Sequence, residues 1–157
     1  MPSRRRLLAA LGSTTATALA GCSAGNSGGS ATRDCQTGVV ERGDGDVLDN
    51  AVQADVDGDD VRLSVPLSVD DVRERGVDSL RVRDPSGRLA HVIPVSAGDA
   101  DLMANRDGVG RGRLLYEQYL GERPLHGRYR IVAVNSRGEP LDSVTVEFSC
   151  FTDVSAE

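Results

Sequence analysis

The sequence predicts an all-β fold, an antiparallel β-sandwich of about seven strands, and three observations carry that prediction. Apolar residues recur at every second position in several short segments, as in strands with one buried face. Clusters rich in Asp, Gly, Asn, Pro and Ser separate those segments, as turns do. Two cysteines, Cys35 and Cys150, bracket a body of about 120 residues, enough for a single hydrophobic core. The expected organisation is a signal peptide over 1–21, a flexible tether over 22–34, the sandwich over 35–151 and a short tail over 152–157.

The first element is an address. Ser3, Arg4, Arg5, Arg6, Leu7 and Leu8 open a run of Leu, Ala, Gly, Ser and Thr that ends at Leu19, Ala20, Gly21 and Cys22. The apolar run is too short to cross a ~30 Å hydrocarbon core as a helix, which takes ~20 residues, and it reads as a cleaved leader. Arg4 and Arg5 ahead of two leucines resemble the twin-arginine export signal. Leu19, Ala20, Gly21 and Cys22 resemble a lipobox, which implies cleavage before Cys22 and a thioether-linked lipid on its sulfur. Residues 23–32 are Gly, Ser, Ala, Asn and Thr, a composition that buries too little apolar surface to fold. A coil of ~10 such residues reaches ~15–20 Å.

The strands follow. Residues 47–56 read as a weak strand, and Asp57, Gly58, Asp59 and Asp60 as a hairpin turn. Val61, Leu63, Val65, Leu67 and Val69 alternate with polar residues, which predicts a strand with one apolar face; Pro66 assigns it to a sheet edge or a bulge, because proline donates nothing to a ladder. Leu80 and Val82 lead into a turn at Asp84, Pro85, Ser86 and Gly87, and residues 89–95 return as a strand. Residues 100–105 suit one helical turn, after which Gly108, Gly110 and Gly112 discourage regular structure. Residues 127–134 carry apolar side chains on both parities, as an interior strand does; Asn135, Ser136, Arg137 and Gly138 make a turn, and residues 141–148 form the last strand.

The segment from Leu125 through Tyr129 and Ile131, followed by Val144, Val146 and Phe148, resembles the last hairpin of immunoglobulin-like or fibronectin-type sandwiches. That resemblance implies a corner role for Tyr129, its hydroxyl bonding back to main chain. The chain has no Trp and its cysteine spacing departs from the immunoglobulin pattern, so an antibody-type disulfide and core are not expected. Cys150 shares parity with Val144, Val146 and Phe148 and therefore points inward. With Cys22 assigned to lipid, Cys35 and Cys150 form an even pair in an exported chain, and a disulfide between them is the expected state.

Composition narrows the function. Loss of the leader removes three arginines, leaving 15 basic against 24 acidic residues and a formal charge of −9. There is no Lys, and Asp outnumbers Glu. Leader and composition together resemble a haloarchaeal surface lipoprotein. Such a surface is a poor partner for nucleic acid, whose phosphates need clustered positive charge; Arg106, Arg111 and Arg113 lie among Asp99, Asp101, Asp107 and Glu117 and read as a balanced face.

Candidate chemistry is sparse. Asp55, Asp57, Asp59 and Asp60 around Gly58 imitate the start of a calcium loop but lack its later bidentate Glu, and a solvated turn is the favoured reading. Two histidines, His91 and His126, are too few for a His-rich metal cage, and no Gly-x-Ser-x-Gly elbow accompanies them. An enzyme would need one of them in a cleft beside Asp or Glu. If any surface recognises a partner, it is the long loop 96–113, with Leu102, Met103 and Val109, together with Tyr116 and Tyr119; the favoured reading is that these residues cover and fill the core, since Tyr116 shares a face with Leu114. The expectation is a non-catalytic module without a cofactor, held to the outer membrane face by lipid, with a surface protein as the candidate partner. An accessory to a transporter or secreted enzyme complex is the alternative, and a hydrolase a weaker one.

Overall fold

The computed structural model describes residues 35–49 and 52–152. The leader residues Arg4, Arg5, Leu19, Ala20 and Gly21, the lipid-bearing candidate Cys22, the tether, and the tail beyond 152 lie outside the described residues.

Eight strands and two short helices make up the described chain: β1 (Cys35–Arg42), β2 (Gln53–Asp57), β3 (Asp60–Ser68), α1 (Val69–Arg75), β4 (Ser79–Arg83), β5 (Leu89–Pro94), α2 (Asp99–Met103), β6 (Arg113–Glu122), β7 (Leu125–Val134) and β8 (Pro140–Cys150). They form two antiparallel sheets, one of five strands in the order β1-β8-β7-β4-β5 and one of three in the order β2-β3-β6. Lettering β2 to β8 as A to G gives A-B-E facing D-C-F-G, an immunoglobulin-like division in which the fourth strand pairs with C instead of E. The eighth strand, β1, is added beside β8.

Alternation in the sequence places the core between the sheets. Val61, Leu63, Val65 and Leu67 of β3 are fully buried and face Leu80 and Val82 of β4, Ile131 and Ala133 of β7, and Val144, Val146 and Phe148 of β8 within one cluster. The ring of Phe148 stacks on Tyr129 at 5.1 Å. Cys150 is buried as its parity requires and is bonded to Cys35, its direct partner in the β1/β8 register, across 115 residues of sequence. Thr37 of β1 ties the sheets together: its hydroxyl accepts from the Ala54 amide at 3.0 Å and donates to the Ala54 carbonyl at 3.4 Å.

Several expectations need correction. The strand holding Pro66 is the centre of its sheet, not an edge. The proline is tolerated because the described pairing with β2 ends at Ser64, two residues earlier, so the missing N–H costs nothing on that side. Residues 47–49 do not begin a strand; Val47 and Leu48 are buried in a turn, and β2 starts at Gln53. Val69 opens α1 instead of ending β3. Asp70 and Asp71 in its first turn and Arg73 and Arg75 in its last complement the helix dipole, and Gly76 at φ 70° closes it, the Val77 amide donating to the Val72 carbonyl. Tyr129 stacks on Phe148, and among the described residues its hydroxyl makes no main-chain bond, so the corner role is not realised.

Candidate functional site

Cross-strand register gathers the polar residues of β1, β8 and β7 on the outward face of the larger sheet. Gln36 lies opposite Ser149, which lies opposite His126; Gly38 lies opposite Glu147, which lies opposite Arg128. Gly38 contributes no side chain, and a Cβ built there meets nothing within 4 Å. The result is an open groove of about 660 Å³ lined by Gln36, Val40, His126, Glu147 and Ser149.

His126 thus comes to lie in a groove with an acidic residue and a serine, the arrangement set as the condition for catalysis. The chemistry is not assembled, however. Among the described residues no hydrogen bond links His126 to Glu147 or Ser149, and Glu147 instead accepts from Arg128 Nε at 2.6 Å. A relay needs the base oriented by its acid and within reach of the nucleophile; here the acid is held by an arginine. His91 sits on β5, with β4 between it and β7, so the two histidines do not share a site.

The Asp-rich turn forms where expected, with Asp57 paired to Asp60 and Gly58 at φ 64°. Its central carboxylate is occupied: Asp57 accepts from the Tyr119 hydroxyl and pairs with Arg62 at 3.5 Å. Arg62 also approaches Glu117 at 3.7 Å, which Arg106 holds at 2.6 Å. Arg123 braces the turn, donating from its amide to the Asp59 carbonyl. Among the described residues no cluster of His, Cys, Asp or Glu is placed to hold a metal ion.

The loop 96–113 is pinned more than it is presented. Tyr116 is buried, and its hydroxyl accepts from the Ser96 amide at 3.0 Å and donates toward the Asp99 carboxylate at 2.8 Å. Burial, with the Asp99 carboxylate adding to it, pushes this phenol up to about 12. Met103 packs on the core and its sulfur accepts from the Leu115 amide at 3.3 Å. Leu102 alone of the loop's large apolar residues projects, at 81 % exposed. Tyr119, half exposed, lies on β6 over the Asp57 carboxylate, which raises its own pKa. The loop and the two tyrosines therefore divide: Tyr116 is core, Tyr119 is surface.

One polar site escaped sequence reasoning. Asp142 is buried, and its carboxylate accepts from the amides of Gly45 at 3.1 Å, Leu48 at 2.8 Å and Ser143 at 2.8 Å. It fastens the β1–β2 connection to the start of β8, and Gly45 leaves it room, since a Cβ there would lie 2.6 Å from the Asp142 side chain. A signal existed: Asp142 shares the inward parity of Val144 and Val146.

No described helix is long and apolar enough to cross a membrane. In comparisons with known proteins, no family model matches the chain and no curated protein matches it.

Proposed function

We propose that the chain is a lipid-anchored module of the outer membrane face, exported by the twin-arginine route and acting by contact instead of by catalysis. The observation that carries this reading is cysteine pairing. Of three cysteines, Cys35 and Cys150 are bonded to each other, which leaves Cys22, the residue that closes the small-residue motif after Leu19, Ala20 and Gly21. A disulfide also belongs to an oxidising compartment, in agreement with the paired arginines Arg4 and Arg5. One short acyl chain anchors only marginally, at ~0.8 kcal/mol per buried CH₂, so a two-chain lipid is the form this anchor takes. The open groove on the outward sheet face offers a surface for a partner to contact.

The test is Cys22→Ser in an exporting host. The variant is expected to leave the membrane fraction while keeping its folded core and bridge. A Cys22→Ser protein that stays in the membrane fraction after a carbonate wash contradicts the anchor.

A further inference from the structure

The outward face of the five-stranded sheet gathers three arginines on adjacent strands that form no salt bridge among the described residues. Arg81 and Arg83 of β4 and Arg130 of β7 point out of this face, and among the described residues none of them pairs with a carboxylate, whereas Arg62, Arg75, Arg88, Arg106 and Arg128 all do. Among the described residues Arg42, Arg73, Arg111 and Arg137 also lack a salt bridge, but each lies on a different element or turn, whereas these three lie on adjacent strands of one face. Arg83 and Arg130 are also direct register partners, a like-charge juxtaposition that disfavours the pair. They lean apart: Arg83 donates to the Gly87 carbonyl at 3.1 Å, and Arg130 reaches toward Ser143 Oγ at 3.4 Å. Arg81 lies between Val132 and the half-exposed Val92, and its guanidinium packs over Gly138 in the β7–β8 turn.

Building on the reading of this protein as a contact module, we propose that this face binds an extended acidic segment of a partner protein. Arg81 and Arg83 are two residues apart on one strand, a spacing of roughly 7 Å, which is also the spacing of every second side chain in an extended peptide. Guanidinium forks match carboxylates two bonds at a time. Val92 and Val132 offer apolar flanks to the methylenes of such a chain, a contact that a bare polyanion does not use. The sheet edges are less available: β1 and the β4/β5 pair each carry a register shift, which blunts strand addition and leaves the face as the docking surface.

The experiment uses the full chain and a labelled peptide with Glu at alternate positions, against an isomer with the same residues in blocks. The alternating peptide is expected to bind more tightly, and Arg81→Gln, Arg83→Gln and Arg130→Gln each to weaken it by about two- to fivefold, as exposed ion pairs do. Arg73→Gln on α1 serves as the charge control and is expected to leave binding unchanged, with all melting points preserved. Equal binding of both peptides, equal loss in the control, or no binding overturns the proposal. So does preferential binding of heparin or of phosphatidylglycerol vesicles, or self-association that the arginine variants abolish. Peptide binding is read whether or not Cys22 carries lipid, so its failure is distinct from failure of the anchor.

Discussion

Asp142 shows how much one residue holds. Three amides from two segments converge on its carboxylate, and replacing it by Ala strands donors that are shielded from water. An unsatisfied buried group costs ~1–3 kcal/mol, so Asp142→Ala is expected to destabilise the domain by at least ~2 kcal/mol in urea unfolding, with Asn losing less. A change below ~0.5 kcal/mol, within the range of ordinary surface substitutions, contradicts the clamp. The tyrosines give a second handle. Burial raises Tyr116 to about 12 and, with the Asp84 charge, raises Tyr129; the Asp57 hydrogen bond raises Tyr119. A phenol whose folded pKa lies above its unfolded value near 10 contributes stability that is fully present below pH 10 and is lost as pH climbs toward 12. Tyrosinate absorbance should therefore stay low at pH 10 while the protein is folded, and the melting point should fall between pH 10 and 12, less so in Tyr116→Phe. Ordinary titration of all three tyrosines near pH 10 in folded protein refutes those environments.

Strands were legible where one face is apolar and the other is not. β3 could be read from Val61, Leu63, Val65 and Leu67, and β8 from Val144, Val146 and Phe148, because alternation encodes burial on one side. β1 was illegible: Gln36, Gly38, Val39 and Val40 are exposed, and the strand exists because β8 offers a ladder and Cys150 a bond, both distant in sequence. The groove beside it was illegible for the same reason, since the meeting of Gly38, Glu147 and His126 depends on register between strands more than a hundred residues apart in the case of β1 and β8. α1 left a readable trace in Asp70, Asp71, Arg73, Arg75 and Gly76, but seven residues give too little periodicity to outweigh the strand pattern running into it. Its end rests on Gly76 in the left-handed region, so Gly76→Ala is expected to cost about 1 kcal/mol in thermal or urea unfolding, the penalty an L side chain meets there. A neutral or stabilising effect contradicts that capping role.

Across the whole molecule, the bridge closes the chain between its first and last described strands. On the entropic model a loop of this size restricts the unfolded ensemble by ~5 kcal/mol. That closure fastens the start of β1, an edge strand, to the end of β8. The proposed location depends on the chemistry of Cys22, and intact mass of the membrane-extracted native protein tests it most directly. The mass expected is that of residues 22–157 plus one two-chain lipid group replacing the thiol hydrogen of Cys22, less two hydrogens for the Cys35–Cys150 bond. A product with an unmodified thiol at Cys22, or one that still carries Arg4 and Arg5, contradicts the account.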